Sequence, residues 1–442
     1  MPKVVVFGIG KSSPYLIKCL QNYSLNFPLH ITLVDTTWQA LPQDCKNHDN
    51  TTYITYNIND QDKLGALVNT HDLVISMLPA QLHITIAKLC LQHKKDLLTA
   101  SYVGTEMKQL HQEAQNKGIL FLNEMGVDPG LDHMSALQLI HNLKNKKAQI
   151  TKFYSHTGGL VSKTVPNTWN YKFTWNPKNV ITAGAEGATY ITHKQKTNIA
   201  YNSIFKTLLP VHIQSKKYDS YPNRNSLSYA QKYELDTIDT FYRGTLRHKG
   251  YCEAWQIFVQ LGMTDDLKTL NFKTGATRKD FLNYFLENNN SIENAFCTTA
   301  GIIKTNAIFK KFELLQFFND TKKLALENGT AAEILLSILK TDWQIQATDN
   351  DVLLMQHEIH YTINKHTYIT KSDLSITGEN QQYTAMAKTV GAPMFEAALL
   401  MLNKQLKLTG VHIPTEPVFY EPILTQLKKH GLEFTETTQL VS

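Results

Sequence analysis

The sequence predicts an α/β protein in which an N-terminal doubly wound parallel sheet is joined to a mixed-sheet α+β domain carrying a helical insertion. Three observations predict it. Residues 1–125 alternate short apolar strand runs with amphipathic stretches of helical period. The first of those runs ends on two glycines, Gly8 and Gly10. Beyond residue 150 the apolar period falls to two, and a mostly helical stretch follows between 253 and 342. The expected boundaries are 1–126 for the first domain, completed by 391–442, then 127–250 with 345–390 for the second, and 251–344 for the insertion.

Taken in order, KVVVFGIG reads as a strand and SSPYLIKCLQNY as a helix. HITLVD is the second strand, and TTYITYNI, DLVISML, DLLTAS and ILFLNEMG are four more. LHITIAKLCLQHKK and GTEMKQLHQEAQNKG are amphipathic helices between them. Strands separated by helices pair in parallel and are covered on both faces. In the second domain ITKFYSHTGG, KFTWNP, NVITAG, the run at 236–249 and QHEIHYTINKHTYITKSDLSI alternate as antiparallel or mixed strands do. EAWQIFVQLG, NAIFKKFELLQFF and TAAEILLSILKTDW are helical. AMAKTVGAPMFEAALLMLNKQ is a long apolar helix, interrupted at Gly391 and Pro393, that is expected to return to the first domain.

Composition narrows the class. At 442 residues, 42% hydrophobic and 19% charged, the chain is an ordinary globular protein of two or three domains. No run reaches the roughly 18–20 apolar residues of a membrane span, and the N-terminus lacks a signal-peptide plan. Five scattered cysteines without CxxC spacing give neither a disulfide framework nor a zinc site, so a cytoplasmic protein without a metal is expected. The net charge of +6 is modest, and the basic run Lys144–Lys147 reads as a solvated helix end rather than a nucleic-acid groove. His357, His360 and His366 are not expected to form a metal motif, because HEIH lacks the HExxH spacing and in a strand His357 and His360 point to opposite sides. Arginine is scarce. Of only four (Arg224, Arg243, Arg247 and Arg278), three fall between 224 and 247, where a rigid fork gripping carboxylate or phosphate would explain them.

The glycines carry the first chemistry. Gly8 and Gly10 follow a strand, and Ser13 stands where the third glycine of GxGxxG would pack helix on strand. With Lys11 and Ser12 they form a Rossmann dinucleotide-binding turn, whose backbone receives a pyrophosphate. Asp35 closes the next strand, where a carboxylate would bond the ribose hydroxyls of NAD and repel the extra phosphate of NADP; NAD is slightly favoured. Ser76, Met77, Leu78 and Pro79 end a strand where the nicotinamide half would lie. Ser101 and Tyr102 end the next, and Asp128 stands in the turn GVDPG, followed by Asp132 and His133, which read as a helix start.

The segments NEMGVDPGLDHMSA, SHTGG, YKFTWNP, SYPNRNS and FYRGTLRHKGYCE, with SMLPAQLH and TASYV, resemble the saccharopine dehydrogenase family, specifically its glutamate-forming branch. TVGAPMFEAALLML and TGVHIPTEPVFYEPIL extend the resemblance over nearly the whole chain. It implies an NAD(P)-dependent oxidoreductase acting on the secondary amine of saccharopine, in lysine metabolism, and a homodimer. It also implies roles. Asp128 and Tyr102 would handle protons, with Asp128 also beside the cofactor. Ser101, Tyr102, Thr157, Gly158, Trp175, Arg224, Thr245, Leu246 and Arg247 would hold a substrate with several carboxylates. Many family members carry cysteine where Thr157 stands, a departure because threonine does not ionise usefully. The alternatives on this fold are a lysine or carboxy-amine dehydrogenase, an imine-condensing enzyme, or a dinucleotide-sensing regulatory protein without catalysis.

Overall fold

The computed structural model describes residues 1–57, 61–162, 168–287 and 291–441. It divides into two compact units: Met1–Ile150 with Asn350–His357 and Tyr361–Ser442, and Thr151–Asp349 with Glu358–His360.

The first unit is built on strands β1 (Lys3–Phe7), β2 (His30–Asp35), β3 (Thr51–Thr55), β4 (Leu73–Ser76), β5 (Asp96–Thr99) and β6 (Leu120–Leu122). A late strand, Gly410–His412, completes a seven-stranded sheet in the order Gly410–His412, β6, β5, β4, β1, β2, β3. Every pairing is parallel. Ile58, the last residue of the expected third strand, lies outside the described residues. Val4, Val5, Val6, Val74 and Ile75 are fully buried, as strands covered on both faces require. Helices α1 (Pro14–Ser24), α2 (Gln61–Thr70) and α3 (His83–His93) are among the crossovers. The strand order reverses between β1 and β4, and in such sheets ligands bind at the carboxyl ends beside that reversal.

Two expectations about the late helix need correction. Ala385–Leu402 runs unbroken through Gly391 and Pro393. Gly391 is instead a contact point, since a Cβ there would come within 2.5 Å of the Leu16 nitrogen on α1. The helix is also, with 18 residues, long and apolar enough by composition to cross a membrane. It is 72% buried inside the protein, as a core helix is. The same unit holds most of the long strand Asp351–Ile363, all but Glu358–His360, and the strand His366–Thr377, which is paired antiparallel with Thr435–Leu440.

The second unit carries a mixed sheet of β7 (Gln149–Val161), β8 (Ala188–Thr192), β9 (Gln195–Ile199), β10 (Leu209–Ile213), β11 (Lys216–Pro222) and β12 (Thr240–His248). β12 pairs parallel with β7 and antiparallel with β11 and β8. KFTWNP and NVITAG do not form the expected strands. Pro177 opens a short helix, Pro177–Ile181, whose start is capped by the Asn176 side chain accepting from the Lys178 N–H. The helices Tyr251–Leu261, Ala307–Leu314 and Ala331–Asp342 bury an aromatic core around Trp169, Trp255, Phe258, Phe312 and Trp343. Arg278 is buried there against Asp342, 2.6 Å away, and braces that core.

Candidate active site

The glycine turn has the shape a dinucleotide needs. Gly8 sits at φ +93°, and a Cβ on it would meet the Met77 carbonyl carbon at 2.8 Å, so only glycine lets β1 end against the Ser76–Met77 backbone. Gly10 is exposed with open space where its Cβ would be, the approach a pyrophosphate takes. Ser13 is fully buried, and its hydroxyl donates to the Gly10 carbonyl at 2.9 Å, so it fills the packing role of the third glycine. Lys11 is exposed and Ser12 half-buried on the same turn, and Met77, Leu78 and Pro79 rim the end of β4. Asp35 is already engaged. Its carboxylate accepts from the Ile9 N–H, from the Thr37 N–H at 3.0 Å and from the Thr36 hydroxyl at 3.2 Å.

Beyond β5, the Tyr102 hydroxyl donates to Asp128 Oδ1 at 2.9 Å, and both residues are half-buried. Their supports are buried ionisable groups. Glu124 accepts from the Val103 N–H at 3.0 Å through one oxygen and meets His133 Nε2 at 2.9 Å through the other. Asp132 accepts from the Gly130 N–H at 2.7 Å, and its other oxygen lies 3.5 Å from His133 Nδ1. The chain on both sides of Tyr102–Asp128 is thereby fastened to the start of helix Leu131–Asn145. Ser76 and Ser101 are bridged by His83, whose Nδ1 is 2.8 Å from Ser76 Oγ and whose Nε2 is 2.7 Å from Ser101 Oγ. Burial lowers the His83 pKa to about 4, which keeps the ring neutral.

In the second unit the β7–β12 register splits the expected substrate residues between two faces. Thr245 pairs with Thr157 and with Tyr221, so Thr157, Thr245, Arg243 and Arg247 share one face. Gly158 and Leu246 turn to the other, where a Cβ on Gly158 would lie 2.7 Å from Leu246 Cβ. Adjacent motif residues on a strand point oppositely, and these two pack against each other.

Arg247 is 3% exposed, and its guanidinium lies 5.0 Å from the Tyr171 ring, 5.3 Å from Tyr251 and 5.5 Å from Tyr221. It donates to the Leu246 carbonyl at 2.8 Å and to the Tyr221 hydroxyl at 3.4 Å, while Nε has no partner among the described residues. No carboxylate pairs with it there. Trp175 joins the cage by donating from its indole N–H to the Tyr171 hydroxyl at 3.3 Å. The Thr157 hydroxyl is buried and likewise without a partner among the described residues. Arg243 stacks on Tyr229 at 4.3 Å. Arg224 has an exposed side chain 3.6 Å from the Glu186 carboxylate.

Sequence reasoning missed His83 and Glu124. Both lay inside quoted motifs, SMLPAQLH and NEMG, and the signal was a titratable residue at the edge of a segment already chosen for its strand end. His133, read as a helix start, is one, and it also closes the Glu124 cluster.

Two family models match the chain: the saccharopine dehydrogenase NADP binding domain over residues 4–122 and the saccharopine dehydrogenase C-terminal domain over residues 126–432. A saccharopine dehydrogenase [NADP(+), L-glutamate-forming] from Pyricularia oryzae is 29% identical over 92% of the chain and 93% of its own length. An alpha-aminoadipic semialdehyde synthase from Arabidopsis thaliana is 31% identical over 87% of the chain, which spans only 38% of that relative. Among solved structures, the apo saccharopine dehydrogenase (L-Glu forming) of Saccharomyces cerevisiae superposes with a TM-score of 0.88 at 26% identity, covering 99% of this chain and 100% of that one.

Proposed function

The chain belongs to the saccharopine dehydrogenase family, and from that premise we propose that it is an NAD(P)-dependent oxidoreductase interconverting saccharopine with 2-aminoadipate semialdehyde and glutamate. The observation that carries the reading is the Tyr102–Asp128 hydrogen bond at the carboxyl edge of the dinucleotide sheet. A bound nicotinamide supplies the hydride acceptor, and the residues of the Gly8–Ser13 turn and of Ser76–Pro79 would hold its nucleotide.

The protein's own work is proton handling and orientation. Asp128, held by the Tyr102 hydroxyl, takes the proton of the secondary amine as the neighbouring C–H is oxidised, leaving an imine. Water then adds to the imine carbon. The same pair gives its proton to nitrogen while taking one from the water. It then takes the carbinolamine O–H proton and protonates nitrogen again, so that the C–N bond breaks to aldehyde and glutamate. Arg247 supports an anionic substrate, because a buried cation without a carboxylate partner gains most from receiving one. Thr157 leaves this scheme without an ionisable group at its position, so Asp128 and Tyr102 carry the proton traffic alone.

The expectation of NAD over NADP gains no support. The relatives' names and the matched domain model point to NADP, and the Asp35 carboxylate is committed to the turn it fastens. We therefore propose NADP as the better coenzyme. The test is absorbance at 340 nm with purified protein, each coenzyme in turn, and saccharopine beside lysine. Turnover of saccharopine is expected; turnover of lysine alone would overturn the substrate.

A further inference from the structure

We propose that His83 is a positioning residue that sets the polarity of the Ser101 hydroxyl, making it a donor toward a carboxylate group of the ligand. The inference rests on the saccharopine reading proposed above and on Ser101 contacting that substrate, the role the family resemblance implies for it, and adds what the contact selects.

A neutral imidazole has one N–H and one acceptor nitrogen, so the ring between two serines must accept from one and donate to the other. Ser76 is fully buried, and its hydroxyl has no partner other than His83 Nδ1 among the described residues. Its proton therefore goes to Nδ1, because a buried hydroxyl proton without an acceptor is costly. Nε2 then carries the ring proton and donates to Ser101 Oγ at 2.7 Å, with Thr99 Oγ1 as a weaker second acceptor at 3.2 Å. Thr99 also accepts from the Ser101 N–H at 3.4 Å, which holds the Ser101 backbone at the strand end. The opposite polarity would strand the Ser76 proton in a dry site.

Ser101 is only half-buried, and its oxygen is occupied by the His83 donation. Its own proton is left to point outward, one residue before the Tyr102 that bonds Asp128. An outward O–H favours an anionic acceptor, because the His83 donation uses one of the oxygen's two lone pairs and leaves the proton as the group presented to the ligand. The ring cannot reverse this by charging near neutral pH, since burial holds its pKa at about 4.

Two readouts test this on the whole 442-residue chain. In protein labelled with [15N]histidine, the His83 signal, assigned by its loss in His83→Gln, is expected to show a protonated Nε2 and a bare Nδ1 at pH 7. A protonated Nδ1 or a charged ring overturns the proposal. In kinetics, His83→Leu is expected to raise the KM for saccharopine by about tenfold, the scale of one lost charge-assisted hydrogen bond, while kcat and NADP affinity stay near wild type. His83→Gln, whose amide can accept and donate at the same two places, should recover most of the loss. Equal effects of leucine and glutamine, or parallel losses of substrate and NADP affinity, mean a purely structural role and overturn it. An enzyme silent on saccharopine would defeat the functional reading, and the tautomer would still decide this one.

Discussion

The two units treat buried polar groups in opposite ways. In the first, each buried ionisable group near the sheet edge is matched or discharged: Glu124 and Asp132 flank His133, and His83 is neutral between two serines. In the second, Arg278 has its aspartate, but Arg247 keeps a permanent charge among three tyrosine rings with no carboxylate among the described residues. A matched cluster fixes geometry; an unmatched cation asks for a counter-ion. The first unit therefore has the features of a site that moves protons, and the second those of a site that grips an anion.

The contrast is broken most directly at the proton-handling pair. Asp128→Asn and Tyr102→Phe should each lower kcat by about 100-fold or more, the usual scale of a lost general acid–base group. The double variant should be little worse than either, because groups acting as one unit are not additive. Multiplying effects in steady-state kinetics would mean that the 2.9 Å bond does not join them in catalysis.

Next in size are the arginines. Arg247→Lys should cost about 10- to 100-fold in kcat/KM for saccharopine and also lower the melting temperature, because a point charge cannot lie flat among three rings. Arg224→Lys should raise KM by about tenfold with the melting temperature unchanged, since an exposed ion pair contributes little to stability. NADP binding by fluorescence titration should be intact in both. Equal loss of nucleotide and substrate binding in Arg247→Lys would make the cage structural.

Smaller again is Gly158→Ala. Its Cβ would be forced to 2.7 Å from both the Leu246 carbonyl oxygen and Cβ, an overpacking cost of about 2 kcal/mol in unfolding free energy. The KM for saccharopine should not change, because Gly158 and Leu246 lie on the face opposite Arg247. A changed KM with unchanged stability would return them to the substrate side.

That split marks where the sequence stops being legible. In the parallel sheet, function gathers at strand ends, and strand ends are punctuated by glycine and proline; Gly8, Ser76 and Ser101 could be picked from spacing, whereas Asp128 in its turn needed the family resemblance. In the second unit, SHTGG and GTLR name consecutive residues, while a strand sends neighbours to opposite faces. The side chains of Leu246 and Arg247 therefore point to opposite faces, and Gly158 could meet the ligand of Thr157 only through its backbone. The tyrosine cage was hidden for a different reason. Tyr171, Tyr221 and Tyr251 are separated by long stretches of chain, and only tertiary packing brings them round Arg247.

The smallest effect probes a buried carboxyl of the first unit that sheds its charge only below neutral pH. Burial pushes the Asp351 carboxyl up to about 6, outweighing the N–H donations from Ala385 at 2.6 Å and Met386 at 3.1 Å that favour its charge. The folded state thus binds this proton more tightly than the unfolded chain, whose carboxyl titrates near 3.8. The penalty of holding the ionised group is borne in full above pH 6 and is relieved as pH falls toward 4. From pH 7 to pH 5 this group alone should add about 1 kcal/mol to stability, by the linkage of proton binding to folding. Asp351→Asn cannot titrate, so urea unfolding should show the wild type gaining on the variant by that amount over the interval. Parallel curves from pH 7 to 5 would mean that the two backbone donors hold Asp351 charged, and that the first unit tolerates a buried anion as the second tolerates Arg247.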